Sequence, residues 1–354
     1  MVSVKKLNRN SRKNFLTYAV VILAFVILQS MAAAGSISSS LKGMLVPICA
    51  YVVMAVSLNL TVGVLGELSL GHAGFMSVGA FTGVTAALAL QGVVGSAVAR
   101  LFIGMAVGAV FAAIAGVLIG IPVLRLKGDY LAIVTLAFGE IIKSIVTNLY
   151  VGVDGSGLHL SILSNKLEMA EGGRLIINGP MGITTIEKIS TFAAGFVLVM
   201  ITLVIVFNLV NSRTGRAIMA IRDNRIAAES VGINITKYRL TAFVTSAALA
   251  GAAGTLFAMN YSTIIATKFD FNTSILVLVF VVLGGLGNML GSILAAAALT
   301  ILPEVLRQFA DYRMLIYAIV LILVMLLRNN EQLKRWREVL GAKSGRGKRA
   351  EGGV

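Results

Sequence analysis

The chain has 354 residues, of which 58% are hydrophobic and 13% charged. Soluble domains average about 45–50% apolar and about 25% charged, so this composition excludes a single water-soluble core and points to lipid as the solvent. The formal charge of +15, from 30 Lys and Arg against 15 Asp and Glu, is not read as a nucleic-acid footprint, because the basic residues sit at chain ends and between apolar segments.

Residues 1–14 form a basic N-terminus with Lys5, Lys6, Arg9, Arg12 and Lys13. The apolar run from Phe15 to about Ala34, with Ala32-Ala33-Ala34-Gly35 at its end, shares features with a signal peptide. An uncleaved first span is the expectation, because further spans follow at once. A helix needs about 20 apolar residues to cross the hydrocarbon core. Candidate segments fall at about 15–35, 41–63, 68–90, 97–124, 130–150, 189–210, 240–262, 273–287, 289–307 and 313–328. The fold class is therefore all-α, a polytopic transmembrane bundle of about ten hydrophobic segments. Eight full spans with short or re-entrant pieces is the alternative count. Residues 15–328 read as one membrane domain, and the Gly-, Lys- and Arg-rich tail from 329 to 354 as disordered or lipid-contacting.

Orientation follows from Lys and Arg. With the N-terminus in the cytoplasm, ten crossings return the C-terminus there. Arg125, Lys127 and the basic 211–239 loop then lie inside, and the 151–188 loop, with three basic and four acidic residues, lies outside. The expected location is the bacterial inner (plasma) membrane, multi-pass, with both termini cytoplasmic.

Two Gly-rich runs interrupt the apolar segments: Gly63 to Gly83 (GVLGELSLGHAGFMSVGAFTG) and Gly284 to Gly291 (GGLGNMLG). Glycine lowers helix stability by about 0.8–1.0 kcal/mol relative to Ala, so each run implies close helix approach or a broken helix. Paired interruptions in two halves of a transporter point to its pathway. Gly66, Ser69, Gly71, His72 and Gly74 in the first run, and Gly284, Gly285, Gly287 and Asn288 in the second, are the candidate pathway residues. Plain small-residue packing, as in the Gly79/Gly83 spacing, is the competing reading, and both can hold. His72 is either a hydrogen-bonded packing residue or a pathway group.

Charges inside spans cost about 2.5–3.5 kcal/mol at mid-bilayer on insertion scales, so Glu67, His72, Glu140, Lys143, Glu304 and Arg307 should face protein or water. Glu140 with Lys143, and Glu304 with Arg307, are three apart and share a helix face. Structural ion pairing is expected for both, over a proton relay. The lone cysteine, Cys49, reads as a small buried residue.

Chemistry is marked by what is missing. No G-x-x-x-x-G-K-[ST] phosphate loop occurs, so no ATP hydrolysis by that route is expected. No catalytic constellation is found, and two histidines and one cysteine spell no metal site. No cofactor is expected in this chain.

The loop from Ser212 to Arg239, SRTGRAIMAIRDNRIAAESVGINITKYR, is long for a connection between spans. It reads as one or two short amphipathic helices. Ile218, Ile221, Ile226 and Val231 form an apolar side, and Arg222, Asp223, Arg225 and Glu229 a polar one. Asp223-Asn224 offers an N-cap for a helix from Arg225, and Gly232 a C-terminal stop. Ala227-Ala228-Glu229 with Gly232 resembles the E-A-A…G coupling loop of ABC importer permeases, with the acid placed after the alanines. The fuller string GRAIMAIRDNRIAAESVGINITKYRLTAF resembles one branch more closely, the branched-chain amino acid permeases of the LivM/LivH kind, and urea permeases are also similar. SLGHAGFMSVGAF, KGDYLAIVTLAFGEI, GITTI and VLGGLGNMLGS extend the resemblance over most of residues 60–328.

That resemblance implies a permease subunit of an ABC importer for branched-chain amino acids. ATP would be bound by cytoplasmic ATPase subunits, with a second similar permease (a heterodimer) and an extracytoplasmic binding protein completing the machine. Arg222, Asp223, Asn224, Ala227, Ala228, Glu229 and Gly232 would face the ATPase, the small alanines letting the helix enter a cleft and Arg222 and Glu229 pairing at its rim. An ion- or proton-coupled carrier, a urea or amide ABC permease, and a membrane enzyme or passive channel are the alternatives. Membrane lipid is a further expected partner, and nucleic acid is not expected.

Overall fold

The computed structural model describes residues 9–35, 38–126, 128–154, 157–162 and 173–306, and scattered positions between 312 and 326. Among them are eight helices long and apolar enough to cross a membrane, with bounds Asn14–Ala33, Ser39–Leu65, His72–Gly92, Ala97–Val123, Asp129–Thr147, Phe192–Asn211, Ile235–Ala258 and Ala266–Gly284. A ninth apolar helix, Met289–Val305, is shorter. Eight of the ten expected segments are thus spanning helices and the ninth is this shorter one. The tenth, 313–328, falls largely outside the described residues, as do residues 1–8 and the tail.

The helices are α1 (Arg9–Ala33), α2 (Ser39–Asn59), α3 (His72–Ala89), α4 (Ala97–Val123), α5 (Asp129–Thr147), α6 (Phe192–Asn211), α7 (Arg213–Asp223), α8 (Arg225–Ser230), α9 (Ile235–Ala258), α10 (Phe271–Gly284) and α11 (Met289–Val305). Two compact units divide the chain, 1–298 and 299–354. The second takes the end of α11, where Pro303 sits. The first holds the other ten helices and the start of α11.

Within this first unit α2 is the central helix. It carries Pro47 in its interior, and it packs against α6, α9 and α10. α1 is peripheral, touching α6 through stacked Phe25 and Phe196 and an edge-on Tyr18–Phe207 pair. α3, α4 and α9 pack most closely, through small residues. A Cβ on Gly83 would lie 2.6 Å from the Gly104 carbonyl oxygen and 2.6 Å from Thr255 Cγ2, and one on Gly79 would collide with the Gly251 backbone. Thr255 donates its hydroxyl to the Gly79 carbonyl at 2.8 Å. Close backbone approach through Gly79 and Gly83 is the small-residue packing expected of that spacing.

Hydropathy gave no sign of the three-stranded antiparallel sheet in the loop after α5. β1 (Leu149–Asp154) lies between β2 (Gly157–Ile162) and β3 (Arg174–Asn178). Strand pairing continues beyond it as an Ile183–Ile264 bridge. At this end of the bundle Arg100, buried at the start of α4, pairs with Glu187 at 3.0 Å. At the other end Arg239 donates to the carbonyls of Leu124 and Leu126, so the α4–α5 turn and the 211–239 loop share one side, away from the sheet. That grouping agrees with the distribution of basic residues.

Candidate functional site

The 211–239 loop is two short helices joined by stiff corners. Ser212 Oγ accepts from the Gly215 amide and starts α7. Asn224 Oδ1 accepts from Ala227 N at 3.0 Å and starts α8, and Asn234 Oδ1 accepts from Lys237 N and starts α9. Each cap satisfies amides that a helix start leaves bare. α8 ends in a Schellman turn: Ile233 N donates to Ala228 O, Gly232 N donates to Glu229 O, and Gly232 has φ +82°. Ile233 then packs on a small core of Ile221, Ala228 and Ile235.

The apolar side expected of this loop is split in two. Ile218 and Ile221 are buried, but Ile226 and Val231 are 81% and 74% exposed. Asn224 is the reason. Its extended backbone (φ −154°, ψ 105°) breaks the helical phase, so the periodicity of α7 does not carry into α8. Ala228 is turned inward, while Asp223, Asn224, Ala227, Glu229 and Gly232 lie on the exposed side with Ile226 and Val231. Arg222, expected at the rim of a partner's cleft, is exposed and also reaches back to its own chain. Its Nη1 donates to the Gly63 carbonyl at 3.1 Å, its Nε and Nη2 bond Asp223 Oδ1, and its stem covers Gly66.

The two Gly-rich runs are broken helices, and the fold brings them together. α2 passes into a π-helical turn, Leu60–Leu65, which stops at Gly66 with φ +81°. The chain then runs unwound to α3 at His72. π-turns recur at functional sites. The second break lies between α10 and α11, with φ +105° at Gly285 and +77° at Gly287. Asn59 joins them: its Oδ1 accepts from Gly287 N at 2.8 Å, and its Nδ2 donates to Ser292 Oγ at 2.9 Å. A Cβ on Gly63 would lie 2.9 Å from Gly287 Cα.

The remaining predicted residues are packed. Gly71 lies against the Thr135 carbonyl and Gly74 against Gly139 of α5, while Gly284 lies against Gly291 and Ser292. Ser69 is buried, and Asn288 Oδ1 accepts from Gly291 N. His72 is buried with Nε2 2.8 Å from Ser57 Oγ. Ser57 gives its hydroxyl hydrogen to Met54 O, which makes the imidazole the donor. Glu140 and Lys143 form the expected ion pair. Arg307, the expected partner of Glu304, lies outside the described residues. Among the described residues no three His, Cys, Asp or Glu side chains are grouped to hold a metal.

One buried ion pair has no signature in the sequence. Glu67, in the unwound stretch before α3, forms an ion pair with Arg239 of α9, which is 4% exposed. Arg239 Nη1 also caps the end of α4 at the Leu124 carbonyl, 2.5 Å away. Burial raises the Glu67 carboxyl above the ordinary glutamate range, and the hydrogen bond and charge of Arg239, with the charge of Arg225, offset part of that rise. A cavity of roughly 700 Å³ opens beside the pair, lined by Gly66, Glu67, Asp129, Arg222, Arg225 and Arg239 among others. Each charge was visible as an ionisable residue near an apolar segment, but nothing in the sequence pairs them.

The family described as "Branched-chain amino acid transport system / permease component" matches residues 40–325. The high-affinity branched-chain amino acid transport system permease protein LivM of Salmonella typhimurium is 35% identical over 319 residues, covering 84% of this chain and 71% of that one. LivM of Escherichia coli is 35% identical over 315 residues, with the same coverage. The ribose import permease protein RbsC of Escherichia coli is 25% identical over 289 residues, 79% of this chain and 82% of that one. No solved structure matches.

Proposed function

This chain belongs to the branched-chain amino acid transport system permease family, and from that premise we propose that it is the membrane-spanning subunit of an ABC importer for leucine, isoleucine or valine. The observation that carries the mechanism is the capped α7–α8 loop, which presents Asp223, Asn224, Ile226, Ala227, Glu229 and Val231 outward at one end of the bundle. An exposed pair of large apolar side chains beside charges suits a protein partner better than water.

In this reading a separate cytoplasmic ATPase docks on that face. The chain has no phosphate loop of its own, binds no cofactor, and leaves nucleotide to the ATPase. The loop passes force well because three side-chain caps leave little slack between α6, α7, α8 and α9. The broken helices around Asn59 are the deformable part, since unwound backbone absorbs φ/ψ change that an intact helix resists. A second, similar permease and an extracytoplasmic binding protein complete the importer. Both termini lie in the cytoplasm, and the β1–β3 sheet faces outward.

Uptake by the importer reconstituted in liposomes, with its ATPase and binding protein, tests this. ATP-dependent accumulation of labelled leucine, insensitive to an uncoupler, is the expected result. Uptake that persists without ATP and collapses with an uncoupler would establish a secondary carrier instead. Uptake of ribose or urea in place of leucine would reassign the substrate.

A further inference from the structure

Glu67 and Arg239 sit where three segments of the bundle meet. Glu67 belongs to the unwound stretch between the π-turn and α3. Arg239 lies in the first turns of α9, which follows α8 after the Gly232 turn. Its guanidinium also holds the carbonyls of Leu124 and Leu126 at the end of α4. Any displacement of α8 that moves the start of α9 therefore pulls on Glu67 and on the foot of α4 together.

The pair is built to respond to such a pull. A buried guanidinium that loses its carboxylate is left uncompensated, so α9 and the unwound stretch have strong reason to move as one. Glu67 Oε2 is buried without a hydrogen-bond partner, and the neighbouring cavity gives the segment room. Arg225, the first residue of α8, is close enough to act on the Glu67 charge.

Resting on the permease reading above, we propose that Glu67 and Arg239 are positioning residues that transmit movement of the ATPase-docking loop to the unwound segment 66–71. Both line the cavity that Asp223, Asn224 and Ile226 of the docking loop also line, and they act through the helices they join.

The test uses the complete importer in liposomes, measuring leucine uptake and ATP hydrolysis in the same vesicles. Glu67→Gln should keep the ATPase bound and hydrolysing, while uptake per ATP falls by about tenfold, within the range that coupling between sites spans. Glu67→Asp, which keeps the charge, should restore most of that ratio. A maleimide probe on Ser69→Cys should change its labelling rate with nucleotide state, and Glu67→Gln should abolish that change. The proposal is overturned if uptake per ATP in Glu67→Gln stays within about twofold of wild type. It is also overturned if uptake and hydrolysis fall in equal proportion, or if Glu67→Asp is as impaired as Glu67→Gln. Absence of ATP-driven uptake in the unaltered importer overturns the permease reading itself. Normal coupling there with an unchanged ratio in the variant overturns this link alone.

Discussion

Asn59 and Gly287 are 228 positions apart, yet the Asn59 side-chain carbonyl accepts the Gly287 amide at 2.8 Å. The same side chain donates to Ser292, so one buried amide ties the second Gly-rich break to the end of the central helix, where the first break begins. A leucine side chain could fill the space but satisfy neither partner. Asn59→Leu should therefore lower stability by about 1–3 kcal/mol, the cost of stranding buried polar groups. Thermal unfolding in detergent measures this, and an unchanged midpoint would show that the contact is dispensable.

The two apolar sides of the loop should separate folding from docking. Ile218 is fully buried, so Ile218→Asp should cost about 3–5 kcal/mol and lower the yield of folded protein. Ile226→Asp and Val231→Asp alter exposed positions and should leave the melting temperature unchanged. They should weaken ATPase co-purification by at least about tenfold, the scale of a 1.4 kcal/mol contact. Glu229→Lys and Gly232→Trp should weaken it too. Gly232 has φ +82°, so its substitution also adds strain of about 1–2 kcal/mol. Full ATPase recovery with all four variants would move the docking site elsewhere.

Glycine to alanine should have opposite signs at two helical positions. Gly43 of α2 has nothing within 4 Å of an added Cβ, so Gly43→Ala should raise stability by about 0.5–1 kcal/mol. At Gly79 the added Cβ meets the Gly251 backbone of α9. There the overpacking cost of about 1–3 kcal/mol should exceed the gain in helix propensity. Paired melting curves decide this, and stabilisation at Gly79 would contradict the packing of α3 on α9.

Glu67 should leave a pH signature. Its carboxyl is raised by burial, against the pull of Arg239 and Arg225, with Asp129, Asp223 and Arg222 around the same cavity. A raised acid contributes stability that is full below the ordinary glutamate value and is lost as pH rises through the raised value. Glu67→Gln does not titrate. The melting temperature of the unaltered protein, minus that of Glu67→Gln, should therefore fall as pH rises through this window. A difference that grows with pH would mean that the ion pair outweighs desolvation.

Features set within one continuous segment were legible in the sequence. Apolar length marked eight spanning helices, because crossing hydrocarbon requires a continuous run of about 20 residues. Asn224 and Gly232 could be read as a helix start and stop, because a cap forms with a residue three positions away. The Glu140–Lys143 pair is also local.

Contacts that required several segments to close on one another were decided by the tertiary structure. Glu67 could have met any basic residue at its end of the bundle, and the packing of α3, α4 and α9 selected Arg239. Arg222 stays exposed, and only the fold placed the Gly63 carbonyl of the π-turn beside its Nη1. Ile226 and Val231 belonged to one apolar side with Ile218 only while α7 and α8 were taken as one phase, which Asn224 breaks. Hydropathy and capping act within one continuous segment and are written in the chain. Buried polar pairing joins residues far apart in sequence, so its partners are selected only when the helices close together.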